Sequence, residues 1–389
     1  MPLVARGAGT SLDGESVPVR GGIVVDLSAM DQVLEVNEKD LWARVQPGVV
    51  NARLQDLLRP RGLFYPPNPG SWEISTLGGN VSTNASGFRS FRYGPTRSWV
   101  LRARAVLGTG ELVEAGTLAW KRSAGVVLPP SLIGSEGTLG ILTELTLRLS
   151  PLPARRVGLL ASVPEGASLG ALALGLLWAR REGLSAVEWV DARVAGEIAR
   201  GEGLPLEPHA EALLLEVETP REVTEDVAAR WGRGLQALGL RTEVRLFEDA
   251  EALWRSRGRA GLLMDRRLGP RVREDVAVPL TEWDRLLGRV RALARKEGVD
   301  LVMYAHLGEG SLHPNFVCDP VSPQAHRLRK GLWEIAWSLG GTASAEHGLG
   351  SLKASAYRRE HGDIAFRALR ELKRAVDPEE ILNPGKFWG

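Results

Sequence analysis

The stretch STLGGNVSTNASGFRSFRYGPTRSW (residues 75–99) is dense in glycine, asparagine and hydroxyl side chains, and two more segments of that kind lie in the first 150 residues: RGAGTSLDGESVP (6–18) and GSEGTLGILTE (134–144). Closely spaced backbone N–H groups, unshielded where the residue is glycine, form concavities for anions, while Asn and Ser offer neutral donors and acceptors to a ring system. Three such segments in one domain predict a fold laid around a long cofactor with a pyrophosphate. The first is not a Rossmann loop: Gly7-Ala8-Gly9-Thr10-Ser11-Leu12 puts leucine where the third glycine belongs, and no strand-to-helix unit follows.

At 389 residues the chain suits two or three domains, each with its own apolar interior. A net charge of +2, from 49 basic and 47 acidic groups, gives no field directed at nucleic acid or anionic membrane. The single cysteine, Cys318, excludes an internal disulfide framework and any cysteine-rich zinc or iron-sulfur site in this chain, and fits a reducing cytoplasm. The run GASLGALALGLLWA (166–179) is too short to span a bilayer, and MPLVARGAGT has no apolar core of a signal peptide. Any membrane association is expected to be peripheral.

Short strands are predicted over 17–46, with VLEV and WARVQ joined by NEKD, followed by a helix near 50–60. WVLRARAVLGTGELVEAG reads as a hairpin turning at Gly108 and Gly110, and TLGILTELTLRL alternates at period two. From 157 the order becomes strand (157–163), helix (167–182), strand (186–190), strand (212–218), helix (220–238), strand (241–247), the split βαβ plan of ferredoxin-like domains with a connecting helix inserted. Helical AEALWRSRGRAGLL, strand EDVAVPL, a helix over 281–297, strand DLVMYAH and a helix near 323–339 follow, and VDPEEILNPGKFWG reads as ordered coil. These boundaries predict a first domain over 1–150, a second over 151–340 and a C-terminal segment over 341–389.

AHLGEGSLHPNF (305–316) places two of the six histidines on a glycine-bent loop leaving a strand. His306 and His313 could be metal ligands, an acid/base pair or polar turn residues. Glu346 and His347 follow in AEHGLG, and two imidazoles with a carboxylate are the donor set of an open metal site.

RGAGT, PPNPGS, TLGGNVSTNASG, RYGPTR, GSEGTLGILTE, EDVAVP, HLGEGSLHPN, AEHGLG and DPEEILNPGK occur in the order found in the FAD-linked oxidases of the vanillyl-alcohol oxidase superfamily. Over nearly its whole length the chain resembles the branch containing glycolate oxidase, D-lactate dehydrogenase and D-2-hydroxyglutarate dehydrogenase. The resemblance implies an α+β fold, with an N-terminally short FAD-binding domain of vanillyl-alcohol oxidase type and a ferredoxin-like βαββαβ cap domain. Members usually carry about fifty residues before the arginine-glycine loop. It puts non-covalent FAD against Arg6, Gly7, Ala8, Gly9 and Thr10, against Pro67, and against Leu77, Gly78, Gly79, Asn80, Asn84, Ala85, Gly87 and Tyr93. Glu136, Gly140 and Ile141 fall near the adenosine half, and Asn383 returns to the flavin. A histidyl link to the flavin from the first domain is impossible, because no histidine precedes His209. Glu15 stands where a glycine is usual, and a carboxylate there would weaken pyrophosphate binding unless it turned outward.

The same resemblance implies a divalent metal, zinc or manganese, on His306, His313 and Glu346, with His347 as base, Asn315 touching substrate and Arg257 and Arg273 holding its carboxylate. The expected reaction is oxidation of a D-2-hydroxy acid to the 2-oxo acid, with hydride passing to FAD N5. A turn-capping role competes for Asn315 and a solvated helix face for the arginines, while Lys353 reads as solvent-facing. The competing function is a non-catalytic FAD-binding electron-transfer subunit. A flavin-dependent ether-lipid synthase would carry a different histidine-rich loop. Partners left open are a homodimer and an iron-sulfur or other electron-accepting chain, through which the protein could sit peripherally at the inner membrane.

Overall fold

The computed structural model describes residues 1–121, 123, 131–202, 204, 209–219, 225–240, 244–247, 250–386 and 388. Two compact units divide the chain, Met1–Leu152 with Glu346–Gly389, and Pro153–Ala345. In the first unit, β1 (Leu3–Arg6) pairs in parallel with β2 (Ile23–Asp26). A five-stranded antiparallel sheet follows, from β3 (Val33–Asn37), β4 (Trp42–Val45), β6 (Val100–Val106), β7 (Leu112–Gly116) and β8 (Ile141–Arg148), in the order β3-β4-β8-β6-β7. The period-two run at 138–149 becomes β8 at the centre of this sheet, and Gly108 and Gly110 fall in the β6–β7 turn. α1 (Asn51–Leu58) buries Leu54 and Leu58 in the core with Val45, Ala103, Leu145 and Leu147. β5 (Leu63–Phe64), which pairs with β9 (Ser150–Pro151), precedes the short α2 (Leu77–Ser82) and α3 (Ser90–Tyr93).

The second unit runs β10 (Arg155–Val163), α4 (Leu169–Ala179), β11 (Leu184–Val190), α5 (Ala192–Glu202), β12 (Glu211–Thr219), α6 (Glu225–Ala237) and β13 (Val244–Phe247). These strands lie in the order β13-β10-β12-β11, with antiparallel neighbours, as a ferredoxin-like unit requires. The starts of the helix expected at 220 and of the strand expected at 241 lie outside the described residues. α7 (Ala250–Gly258), α8 (Ala260–Leu268), β14 (Arg271–Arg273), β15 (Val276–Ala277), α9 (Trp283–Glu297), β16 (Asp300–His306), β17 (Ser311–Val317) and α10 (Pro323–Ser338) complete it. The sheet continues from β11 through β16 and β17 to β14, with β15 also on β17.

The returning segment of the first unit contributes α11 (Ala354–Val376), interrupted at Gly362 (φ 76°, ψ 161°). No sequence expectation covered it, although Phe366, Leu369, Leu372 and Val376 are spaced as one helical stripe and pack on or near that unit's core. Residues 377–386 beyond it are ordered coil pinned to β1: Leu3 N–H donates to Ile381 O and Asn383 N–H to Leu3 O, both at 2.7 Å.

Candidate active site

In the first unit the glycine-rich segments converge. Gly7, just past β1, lies so close to Thr76 that a Cβ there would stand 2.1 Å from Oγ1, and the same oxygen accepts from Gly79 N–H as the N-cap of α2. Backbone approach also explains two other glycines: a Cβ on Gly78 would meet Pro47, and one on Gly87 would stand 1.7 Å from Asn68 O. Pro67 O accepts from buried Asn51 Nδ2, Asn84 Oδ1 accepts from Arg97 N–H, and Ala85 N–H donates to Asn80 O. Tyr93 stacks edge-on with Phe64 and Trp99. Gly140 leads into β8, where Ile141 pairs with Val106.

Glu136 ties three stretches of this unit together. Its N–H donates to Ser82 O, and its carboxylate accepts from Leu349 N–H at 2.7 Å and Gly350 N–H at 2.9 Å. Gly348, at φ 88°, brings its backbone so close that a Cβ would stand 2.7 Å from both Glu136 Oε1 and Glu15 Oε1. His347 is therefore carried on a strap, Glu346–Gly350, fastened by Glu136, and its Nε2 lies 3.8 Å from Glu346 Oε1. Asn383 closes the knot, Nδ2 donating to Glu15 O at 2.8 Å and Glu136 O at 2.7 Å.

Glu15 does not turn outward. It is 4% exposed, and burial pushes its pKa up, favouring the neutral acid. Lys353, expected in solvent, is fully buried with Nζ 3.2 Å from Asp13 Oδ2. Sequence reasoning did not single out Lys386, whose Nζ donates to Gly14 O and Val17 O.

Burial, then the charge of Glu15, push the pKa of Glu136 up to about 8. The folded state thus holds a proton that an unfolded carboxyl, with an ordinary pKa of 4.5, has released. Stability from this group is full below that ordinary value and is lost as pH climbs through about 8, at up to about 1.4 kcal/mol per pH unit. Urea melts from pH 5 to 9 should show a falling unfolding free energy, and Glu136→Gln should make the fall shallower. An unchanged slope in the variant would rule out Glu136 as its source.

In the second unit one sheet face gathers the other candidates. The register sets Tyr304 opposite His313 and His306 opposite Ser311, so His306 and His313 share a face as diagonal neighbours, ring centroids 5.0 Å apart and nearly perpendicular. His313 thus sits on a strand, not on a loop; the turn is confined to Leu307–Glu309 and Gly310 (φ 74°). Asn315 is one pleat further along this face and does not cap a turn: Nδ2 donates to His313 O, and buried Oδ1 has no hydrogen-bond partner among the described residues. Arg273 on β14 stands opposite Asn315 and pairs with Asp265.

Arg257, on α7, is 4% exposed and lies over the Tyr304 ring at 4.5 Å. It is therefore no solvated helix face. A residue the sequence reading missed joins it to the imidazoles: Glu188 on β11, fully buried, reaches Arg257 Nη2 at 2.8 Å and His306 Nδ1 at 2.5 Å. This face offers one buried and one part-exposed guanidinium for a carboxylate, and two imidazoles for a metal or a proton.

The family model described as FAD linked oxidases, C-terminal domain, matches residues 152–387, and that described as FAD binding domain matches residues 1–116. The chain belongs to the FAD-linked oxidases. The glycolate oxidase subunit GlcD of Bacillus subtilis (strain 168) is 34% identical over 400 residues, covering 100% of this chain and 84% of the relative. The D-lactate dehydrogenase of Archaeoglobus fulgidus is 34% identical over 391 residues, covering 99% of this chain and 86% of its own. A substrate-bound p-cresol methylhydroxylase superposes with a TM-score of 0.79 at 17% identity, covering 100% of this chain and 84% of that one, a likeness of fold.

This FAD-linked oxidase thus has the vanillyl-alcohol oxidase type of FAD-binding fold, and the first unit fits the cofactor. Ser75 Oγ, Asn80 Nδ2 and Asn68 Oδ1 are buried without hydrogen-bond partners among the described residues, beside glycines whose Cβ positions are already occupied. Among the described residues no helix is long and apolar enough to cross a membrane.

Proposed function

We propose that this FAD-linked oxidase oxidises a D-2-hydroxy acid such as glycolate or D-lactate to the 2-oxo acid, with non-covalent FAD, a divalent metal on His306, His313 and Glu346, and His347 as base. The observation that carries this reading is the single sheet face bearing His306, His313, Asn315 and Arg273, with Arg257 of α7 packed over Tyr304 on that face. The donor set suits a metal: Glu188 lies against His306 Nδ1, so Nε2 is the nitrogen that would coordinate, while Glu346 follows Ala345, whose N–H is fixed by Asp275 Oδ2 at 2.7 Å.

Bound FAD supplies the hydride acceptor at N5, and the bound ion, zinc or manganese, supplies Lewis acidity that lowers the pKa of the α-hydroxyl. Arg257 and Arg273 hold the substrate carboxylate, whose orientation a guanidinium fork fixes along with its charge. Asn315 offers Oδ1 to the substrate. His347 takes the hydroxyl proton, a task suited to imidazole near neutral pH. With one cysteine in the chain, electrons leave to another acceptor, such as an iron-sulfur or other partner chain.

Anaerobic mixing of the flavin-loaded protein with a panel of D-2-hydroxy acids should bleach the flavin absorbance with at least one of them. Bleaching by none, together with reduction by a partner's electrons, would establish the non-catalytic electron-transfer reading instead.

A further inference from the structure

β11 reads LSAVEWV, every residue of which is buried, so Glu188 is a carboxylate at the centre of an apolar strand covered on both faces. Removing such a group from water incurs a desolvation penalty that a well-packed apolar residue would avoid. Its two oxygens divide their work. Oε1 lies 2.5 Å from His306 Nδ1 and Oε2 lies 2.8 Å from Arg257 Nη2. The α7 helix that carries Arg257 is anchored a second time, by Trp254 Nε1 donating to Glu216 Oε2 at 2.6 Å. Glu216 is also fully buried and stands diagonal to Glu188 across the β11–β12 ladder. Two buried carboxylates on one sheet face thus fix the helix, and one of them also grips the imidazole.

We propose that Glu188 is a positioning residue that holds His306 as the Nδ1–H tautomer, which makes Nε2 the nitrogen that carries the lone pair, and at the same time fixes the Arg257 guanidinium. An acceptor on Nδ1 determines which nitrogen of a neutral imidazole carries the proton and orients the ring. The carboxylate meets both neighbours at once, Oε1 on the imidazole and Oε2 in an ion pair with the guanidinium, so the imidazole that binds the ion and the guanidinium that binds the substrate carboxylate are set by one side chain. The tautomer is a property of this chain alone; its consequences for metal and substrate rest on the reading given under Proposed function.

The test uses flavin-loaded, metal-stripped protein labelled with 15N-histidine, with the His306 resonance assigned by its loss in His306→Asn. Two-bond 15N–1H correlations should report His306 as the Nδ1–H tautomer, and Glu188→Ala should return it to the Nε2–H form. The same samples titrated with Co2+, followed by visible absorption, should show affinity weakened about 10- to 100-fold in Glu188→Gln and Glu188→Ala. Glu188→Gln should keep the fold but lower the metal-stripped melting temperature, because it takes a counter-charge from the buried Arg257 guanidinium, and KM for the bleaching acid should rise through Arg257. An Nε2–H tautomer in the native protein overturns the proposal, as does a Co2+ affinity that Glu188→Gln leaves unchanged. If the tautomer behaves as stated but native protein takes up no Co2+, the positioning role stands and the metal assignment falls.

Discussion

Replacing His347 with alanine should leave the protein yellow and slow its reduction by a D-2-hydroxy acid by about a hundred- to ten-thousand-fold, the usual contribution of a positioned base. Retained colour is expected because the contacts that fasten the strap to Glu136 are made by backbone groups. Leu349 and Gly350 N–H groups donate to Glu136, and Gly348 makes the close approach to both carboxylates through its backbone. The crowded glycines Gly7, Gly78 and Gly87 and the orphaned polar atoms of Ser75, Asn80 and Asn68 belong to other stretches of the first unit. The loss should therefore fall on the rate of the chemical step, with flavin affinity unchanged. Stopped-flow reduction under anaerobic conditions measures it directly. Reduction of the variant at the native rate would show that another group takes the proton, and a colourless variant would show that the strap helps hold the flavin.

The elements legible in the sequence are those set by local rules. The period-two run that becomes β8, the hairpin at Gly108 and Gly110, and the strand-helix order of the ferredoxin-like part each follow from side-chain alternation or turn chemistry. β17 was hidden because proline normally demotes a strand, and Pro314 is in its middle. The structure explains the tolerance. β14 pairs with β17 at residues 315–317 and β15 at 311–312, so the proline falls where that side of the ladder passes from one short strand to the next. α11 was missed because Gly362 interrupts a highly charged stretch. Glu188 could not be found from sequence at all: a lone acid in an apolar run reads as the solvent side of a strand, and only the sheet order shows that both faces are covered. The burial of Glu15 and Lys353 has the same cause, since partners far away in the chain decide it.

The largest effect on stability is expected at Lys373, a residue with no part in the chemistry. Its ammonium, 3% exposed, donates to Thr138 O at 2.7 Å and Leu382 O at 3.0 Å and forms an ion pair with Asp377. Asp377 is fully buried, and its carboxylate also accepts from Ile381 and Leu382 N–H groups. It is packed so tightly against the β6–β7 turn that a Cβ on Gly108 would stand 2.2 Å from Oδ1, leaving little room for water. Lys373→Met removes the cation but keeps the stem, so it leaves a buried carboxylate without its counter-ion, at a cost of about 3–5 kcal/mol. At about 2–4 °C per kcal/mol for a unit of this size, the melting temperature should drop by roughly 6–20 °C. The same pair sets the turn that delivers Leu382 and Asn383 to β1, and Asn383 to Glu15 and Glu136, so flavin affinity should weaken with it. Adding Asp377→Asn removes the stranded charge and should recover part of the melting temperature. The recovery distinguishes an electrostatic penalty from simple loss of packing, because a packing defect at 373 would be indifferent to the charge at 377. A double variant no more stable than Lys373→Met would place the defect in the lost hydrogen bonds to Thr138 and Leu382, and the ion pair would then be incidental to how the tail is held.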